Sequence, residues 1–279
     1  MRRILLYIII GICPALIHGQ DLQPSVPVEG ATSVGTVVGL GRASQLDTYL
    51  SPLSYSGPQL SFLRETFHLT KRANRRLSFQ TILQGAFSHT ENATSTAYDW
   101  AGRLGFDAGW HYHWCPMPAL RLMAGGMVGT DIGFLYNDRN RNNPAQGRLN
   151  ADVSASVGAR YRLRLFRQSF VLRYQACLPL AGAMFSPGYG QSYYEISQGN
   201  RDHNVVATWP GNAFSLWQMV NVDIPLRRYT LRLGYLDDIR QSHANHIKVH
   251  DISRSFLIGF VRHFRLLKKN EREEGGDLQ

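Results

Sequence analysis

Two groups of residues in this chain have side chains that do chemistry. Asp237, Asp238, His243, His246 and His250 crowd into residues 237–250. A carboxylate and an imidazole that converge make an acid–base pair, provided that both are positioned and tuned. A metal site needs the same groups convergent. The spacing here matches no standard zinc arrangement, so no metal or other cofactor is expected. Ser242-His243 and Ser88-His89 bring a hydroxyl next to an imidazole. Neighbours on a strand point to opposite faces, so such adjacency does not make a nucleophile and its base.

The second group is dispersed: Arg103, Asp107, His111, Arg121, Asp131, Asp152, Arg160, Arg162, Arg173, Asp223 and Arg232. Its order emerges from the elements that carry it. From Tyr98 to Trp114, one alternate set reads Tyr98, Trp100, Gly102, Leu104, Phe106, Ala108, Trp110, Tyr112, Trp114. The other set holds Asp99, Arg103, Asp107, His111 and His113, with alanine and glycine between. A strand puts these sets on opposite faces, one apolar and one wet. Leu149 to Leu163 repeats the pattern, with Asp152, Arg160 and Arg162 on its polar side. Segments from Leu77, Leu120, Phe170, Phe214, Tyr229 and Phe256 follow it, and Val34–Leu40 and Leu60–Thr70 are further candidates. Leu63, Phe67 and Leu69 share a face in the last of these, and Phe62 and Glu65 blur its register.

About ten strands result, in a range of 8–12. Residues 42–57, 89–97, 136–147, 183–211 and 237–250 read as long connections. Residues 71–76, 115–118, 164–168 and 225–228 read as short ones. Long and short connections alternate, which puts all the long loops at one end of a meander. Residues 1–20 read as a secretory signal, with Arg2 and Arg3 before an apolar run too short to span a bilayer as a helix. Residues 21–266 form the body and 267–279 a charged tail. The net charge of +10 is spread over strand ends, turns and polar faces, with no concentrated basic patch, and nucleic acid is not an expected partner. Cys115 and Cys177 remain after the signal and are expected to stay unpaired.

In its signal, dyad strands, terminal aromatics and alternating loops, the chain resembles the bacterial outer-membrane β-barrel proteins. The resemblance implies an all-β, antiparallel up-and-down transmembrane barrel in the outer membrane, with both termini periplasmic. It implies outer-membrane lipid and the barrel-assembly machinery as partners, and an extracellular ligand as a further candidate. The second group of residues then faces the lumen. A barrel of about ten strands has an interior that side chains fill, whereas open channels belong to ~16–18 strands. The expected role is structural, surface-binding or narrow-pore. The alternative is a hydrolase, omptin-like or lipid-modifying, with Asp237, Asp238, His243 and His246 at the extracellular rim. A soluble sandwich or lipocalin-like carrier is a third reading. Tyr189, Tyr193, Tyr194 and Trp209 lie in the longest loop. They would either bind a sugar or protein, or fold down over the barrel mouth.

Overall fold

The computed structural model describes residues 31–265, apart from 71, 72, 74, 75, 142, 166, 167, 227 and 228. The signal and the charged tail lie outside the described residues. Eleven strands form: β1 (Ala31–Asp47), β2 (Ser51–Leu69), β3 (Leu77–Asn92), β4 (Tyr98–Met117), β5 (Leu120–Asn137), β6 (Ala145–Leu165), β7 (Gln168–Phe185), β8 (Val205–Thr208), β9 (Ala213–Pro225), β10 (Thr230–Ala244) and β11 (Ile247–Arg265). One short helix, α1 (Tyr193–Ser197), sits between β7 and β8.

Neighbours along the chain pair antiparallel except β8 and β9, which both pair with β7, and β11 pairs with β1 to close the sheet. The result is a ten-stranded barrel with one extra strand, because β8 and β9 both use the same edge of β7. β9 takes Val171–Cys177 and β8 takes Gly182–Phe185. Follow one row of partners from Tyr174 through Val220, Tyr235, Phe256, Leu40, Leu60, Phe87, Gly102 and Phe134. It returns on β6 at Gly147, whereas Tyr174 itself pairs with Ala159, twelve residues away. That stagger tilts the strands, as closure requires.

The dyad pattern sets the faces. Trp100, Trp110, Tyr112 and Trp114 are outward and exposed, while His111 and His113 are buried in the lumen. Phe87, Leu104, Phe106, Val128, Ile132, Phe134, Val153, Phe256, Ile258 and Phe260 extend the apolar outer band. On β2 the register is the reverse of a simple apolar-out reading. Leu63, Phe67 and Leu69 face inward beside Glu65, and Leu60 and Phe62 face out.

The long connections are shorter than the sequence pattern predicts. Residues 42–57 form most of a hairpin turned at 48–50, and 237–250 form another turned at Asn245-His246. Both turn residues have positive φ, 50° and 62°, as a two-residue hairpin requires. The physical reason is that the outer faces of these strand ends are largely polar, with Arg42, Ser44, Ser54 and Ser56 on one hairpin and Asp237, Gln241 and His243 on the other. Without an apolar outer face the period-2 signal vanishes, yet the backbone ladder continues.

Candidate functional site: the charged lumen

The lumen is layered. At the end that holds the termini, Glu65 of β2 is the centre. It accepts two hydrogen bonds from Arg173 (2.9 and 2.6 Å), one from Arg232 (2.6 Å) and one from Gln80 (2.8 Å). Arg232 also grips both oxygens of Asp223, at 2.6 and 2.8 Å. All four charged groups are buried. Such charges are tolerable only when paired and fully hydrogen-bonded, which this cluster satisfies. The Arg160 guanidinium lies over the Phe67 ring, 4.2 Å from its centroid. Arg121 lies on the same inward face of β5. His111 Nε2 meets Ser156 Oγ at 2.9 Å and His113 Nε2 meets Ser78 Oγ at 2.6 Å. These are the serine–histidine contacts of the lumen. Among the described residues neither histidine has a partner on Nδ1, and neither lines the cavity described below.

Above this network an apolar layer crosses the lumen: Val37, Leu63, Ile82, Met127, Trp217, Met219, Leu236 and Leu257. Cys177 packs against it, with its Sγ 3.8 Å from Met127 Sδ. Cys115 is exposed at the far end of β4, and both cysteines are free.

Over the apolar layer lies a cavity of about 150 Å³. Its wall carries Arg103, Arg148 and Arg240 against Asp107, Asp131, Asp152, Asp238 and Asp251. Arg103 pairs with Asp238. Arg240 joins Asp238 (3.2 Å) to Asp131 (2.9 Å), and Asn150 donates to Asp131 at 3.1 Å. Arg148 bridges Asp251 (2.9 Å) and Asp47 (3.1 Å). Among the described residues Asp107 accepts from Gln84 alone (3.3 Å), and Asp152 from Ser154 alone (2.6 Å). Among the described residues neither has an arginine partner within 4.0 Å. They stand in one row of the sheet, on β4 and β6, with Gly129 of β5 between them.

A second apolar cluster, Tyr49, Leu50, Ala101, Leu135 and Ile247, roofs the cavity end. Tyr193 of α1 packs on it, edge-on to Tyr49 with centroids 6.2 Å apart. Its hydroxyl accepts the Gly147 N–H at 2.5 Å. The Tyr49 hydroxyl donates to Gln191 O at 2.7 Å. Burial, then the neighbouring Tyr193, Asp47 and Glu195, push the Tyr49 hydroxyl up to about 12. α1 is set by Ser192, whose side chain caps Glu195 N while Glu195 returns to Ser192 N at 2.7 Å. Tyr189, Tyr194 and Trp209 remain exposed. Only Tyr193 of the four loop aromatics folds over the mouth.

The proposed rim cluster is not brought together, and this corrects the sequence reading. Asp237 and Asp238 are strand neighbours within β10, so they point to opposite faces. Asp238 is buried in the lumen network. Asp237 faces outward, where it meets Arg254 at 3.3 Å. His243 is exposed near the end of β10, and His246 occupies the hairpin turn. Among the described residues no three His, Cys, Asp or Glu side chains are grouped to hold a metal ion. The lumen residues that the sequence pattern did not single out are Glu65, Asp47, Arg148, Arg240 and Asp251. Glu65 carried a usable signal, since it shares parity with Leu63, Phe67 and Leu69. The others fall at segment ends or in stretches that read as loop.

A closed, ten-stranded antiparallel barrel with an apolar outer band and a charged interior has the fold of outer-membrane β-barrel proteins. The outer membrane protease OmpT from Escherichia coli is similar in structure, with a TM-score of 0.51 at 9% identity, over 88% of this chain and 99% of that one. The transport unit of the Escherichia coli autotransporter AIDA-I matches at a TM-score of 0.41 and 12% identity, over 87% of this chain and 93% of that one. The β domain of the Bordetella autotransporter BrkA gives 0.40 and 10%, over 83% of this chain and 100% of that one. At these identities the likeness concerns the fold alone. The sequence model of the family described as "Protein of unknown function (DUF3316)" matches residues 5–271, and the chain belongs to that family. No curated protein matches the sequence.

Proposed function

We propose that the protein is an integral outer-membrane barrel with a closed lumen, which binds a ligand at its loop end rather than conducting solutes. Its termini lie on the periplasmic side and the α1 end faces outward. The exposed aromatic and aliphatic outer band supports membrane insertion, since an apolar belt flanked by Trp and Tyr suits a bilayer.

One observation carries the closed-lumen reading. The Glu65–Arg173–Arg232–Asp223 cluster and the apolar layer from Val37 to Leu257 fill successive cross-sections of the barrel. A solute would have to break a buried ion-pair network and then cross a layer of packed side chains. The cavity above is open to neither step, so binding is what it offers.

Outer-membrane fractionation with heat-modifiable gel mobility tests the location. Recovery as a soluble periplasmic protein would reject the membrane reading. Purified protein in planar bilayers should give no conductance steps. Steady unitary steps would overturn the closed lumen.

A further inference from the structure

The barrel wall has a seam beside the cavity. The β7–β9 ladder stops at Cys177 and Trp217. Above it β7 follows β8, and β9 follows β10 through Ala213–Leu216. Residues 178–181 of β7 and 213–216 of β9 therefore make no ladder pairs with each other. Pro179 stands in this gap and has no N–H to offer. The register on the other edge of β7 also slips here, between Val153 and Ser154. Residues 209–212 turn between β8 and β9 without ladder pairs to β7, while Asn212 O still accepts the His243 N–H of β10 at 2.8 Å. Leu180 and Phe214 lie on the outer side, 49% and 40% exposed. On the inner side the last paired residues, Cys177 and Trp217, both line the cavity. Trp217 is 7% exposed, and its Nε1–H, a donor, has no acceptor among the described residues.

The charge of the cavity is unbalanced. Its five carboxylates face three guanidinium groups, and the pairing described above leaves Asp107 and Asp152 over. Their Oδ1 atoms converge on Gly129, where an added methyl group would collide with Asp107 and come within 3.7 Å of Asp152. Two unpaired carboxylates in a half-enclosed site repel each other, and a cation placed between them relieves that repulsion. A void of about 150 Å³ holds a group the size of benzene, so it takes a small head group and not a whole lipid.

We infer that this cavity binds the ammonium head of an alkylamine-type amphiphile, whose hydrocarbon chain leaves through the β7–β9 seam into the bilayer. The head would sit between Asp107 and Asp152. The chain would pass Cys177 and Trp217 and lie against Leu180 and Phe214. The inference rests on the membrane reading given above.

Cys177 supplies the test. In a Cys115→Ser protein in phosphatidylcholine nanodiscs, the alkylation of Cys177 by a small maleimide is timed with and without dodecylamine. Thermal unfolding of the same samples is the second readout. Dodecylamine should slow labelling by at least about fivefold, which corresponds to roughly four-fifths occupancy, and should raise the unfolding temperature. Dodecanoate, with the same chain and the opposite charge, should do neither. Butylamine, with the same head and too short a chain to use the seam, should protect far less. Equal protection by dodecylamine and dodecanoate, or no effect of either on both readouts, overturns the inference. Equal protection by butylamine and dodecylamine overturns the role of the seam. Asp107→Asn and Asp152→Asn should abolish protection, with correct folding checked by heat-modifiable mobility, and protection that survives both overturns the role of the acid pair. Failure of the protein to enter nanodiscs would instead reject membrane insertion.

Discussion

Glu65 of β2 and Arg232 of β10 meet inside the barrel at 2.6 Å, though 167 positions separate them in the chain. The contact exists only because β1 and β11 close the sheet. Arg173 approaches the same carboxylate from β7. Glu65 thus takes the close contacts of two buried guanidinium groups, and if it were lost only Asp223, which grips Arg232 and lies 3.8 Å from Arg173, would remain to serve both.

Glu65→Gln should therefore be strongly destabilising. Breaking a buried ion pair by removing one partner costs about 3–5 kcal/mol, mostly because the remaining charge stays buried. Urea-induced unfolding in detergent, read by the heat-modifiable gel shift, checks this. A loss below about 0.5 kcal/mol would mean that water reaches the cluster and screens it.

Asp237 and Asp238 offer a sharper contrast, because they are adjacent and chemically identical. Asp238→Ala removes the shared partner of Arg103 and Arg240 in the lumen, with a cost in the same range of about 3–5 kcal/mol. Asp237→Ala removes an outward contact to Arg254, which is 60% exposed. Its effect should be clearly smaller. Equal effects in parallel unfolding curves would contradict the assigned register of β10.

How much of this was legible beforehand depends on where each strand runs. Tyr98 to Trp114 announces its two faces because lipid selects one of them and the lumen the other. On β2 the apolar set Leu63, Phe67 and Leu69 faces inward with Glu65, so polarity alone did not orient the strand. In residues 42–57 and 237–250 the outer face is largely polar, and strand looked like loop. That error displaced Asp238 from the lumen to a supposed rim. It also concealed Arg240 and Asp251, which complete the cavity wall. Partners such as Arg148 and Asp47, 101 positions apart, follow from closure and stagger, which no local pattern contains.

Gly129 tests the acid pair without touching a charge. Its missing side chain leaves room for Asp107 Oδ1. Gly129→Ala should cost about 1–3 kcal/mol, the usual penalty for overpacking. Combining it with Asp107→Ala removes the collision, so the double variant should be more stable than the sum of the two single changes implies, by at least about 1 kcal/mol. Simple additivity in a double-mutant cycle would place the carboxylate elsewhere.

The roof of the cavity should respond to alkali. Tyr49 and Tyr193 pack edge to face outside the membrane-spanning segments, and burial raises the pKa of both hydroxyls, that of Tyr49 to about 12. A raised folded-state pKa means that the folded form holds the proton more tightly than the unfolded form. The stability this contributes is complete below the unfolded value of about 10. It declines as the pH rises from there and is lost on passing about 12. Above that range tyrosinate forms at the mouth, beside Asp47 and Glu195 and against Tyr193, and the α1 loop should lift. Limited proteolysis of residues 186–212 should therefore accelerate between pH 10 and 12, and the protection factor of the Gly147 N–H, its exchange taken relative to the base-catalysed rate of an open amide, should fall over the same range, in step with tyrosinate absorbance near 295 nm, while barrel strands such as β4 stay protected. Tyr193→Phe removes the acceptor for Gly147 N–H and should bring faster exchange there already at neutral pH. A loop whose proteolysis and protection factor ignore pH in the wild type, or a Gly147 N–H whose exchange ignores the Tyr193→Phe change, would show that these hydroxyls do not hold the mouth closed.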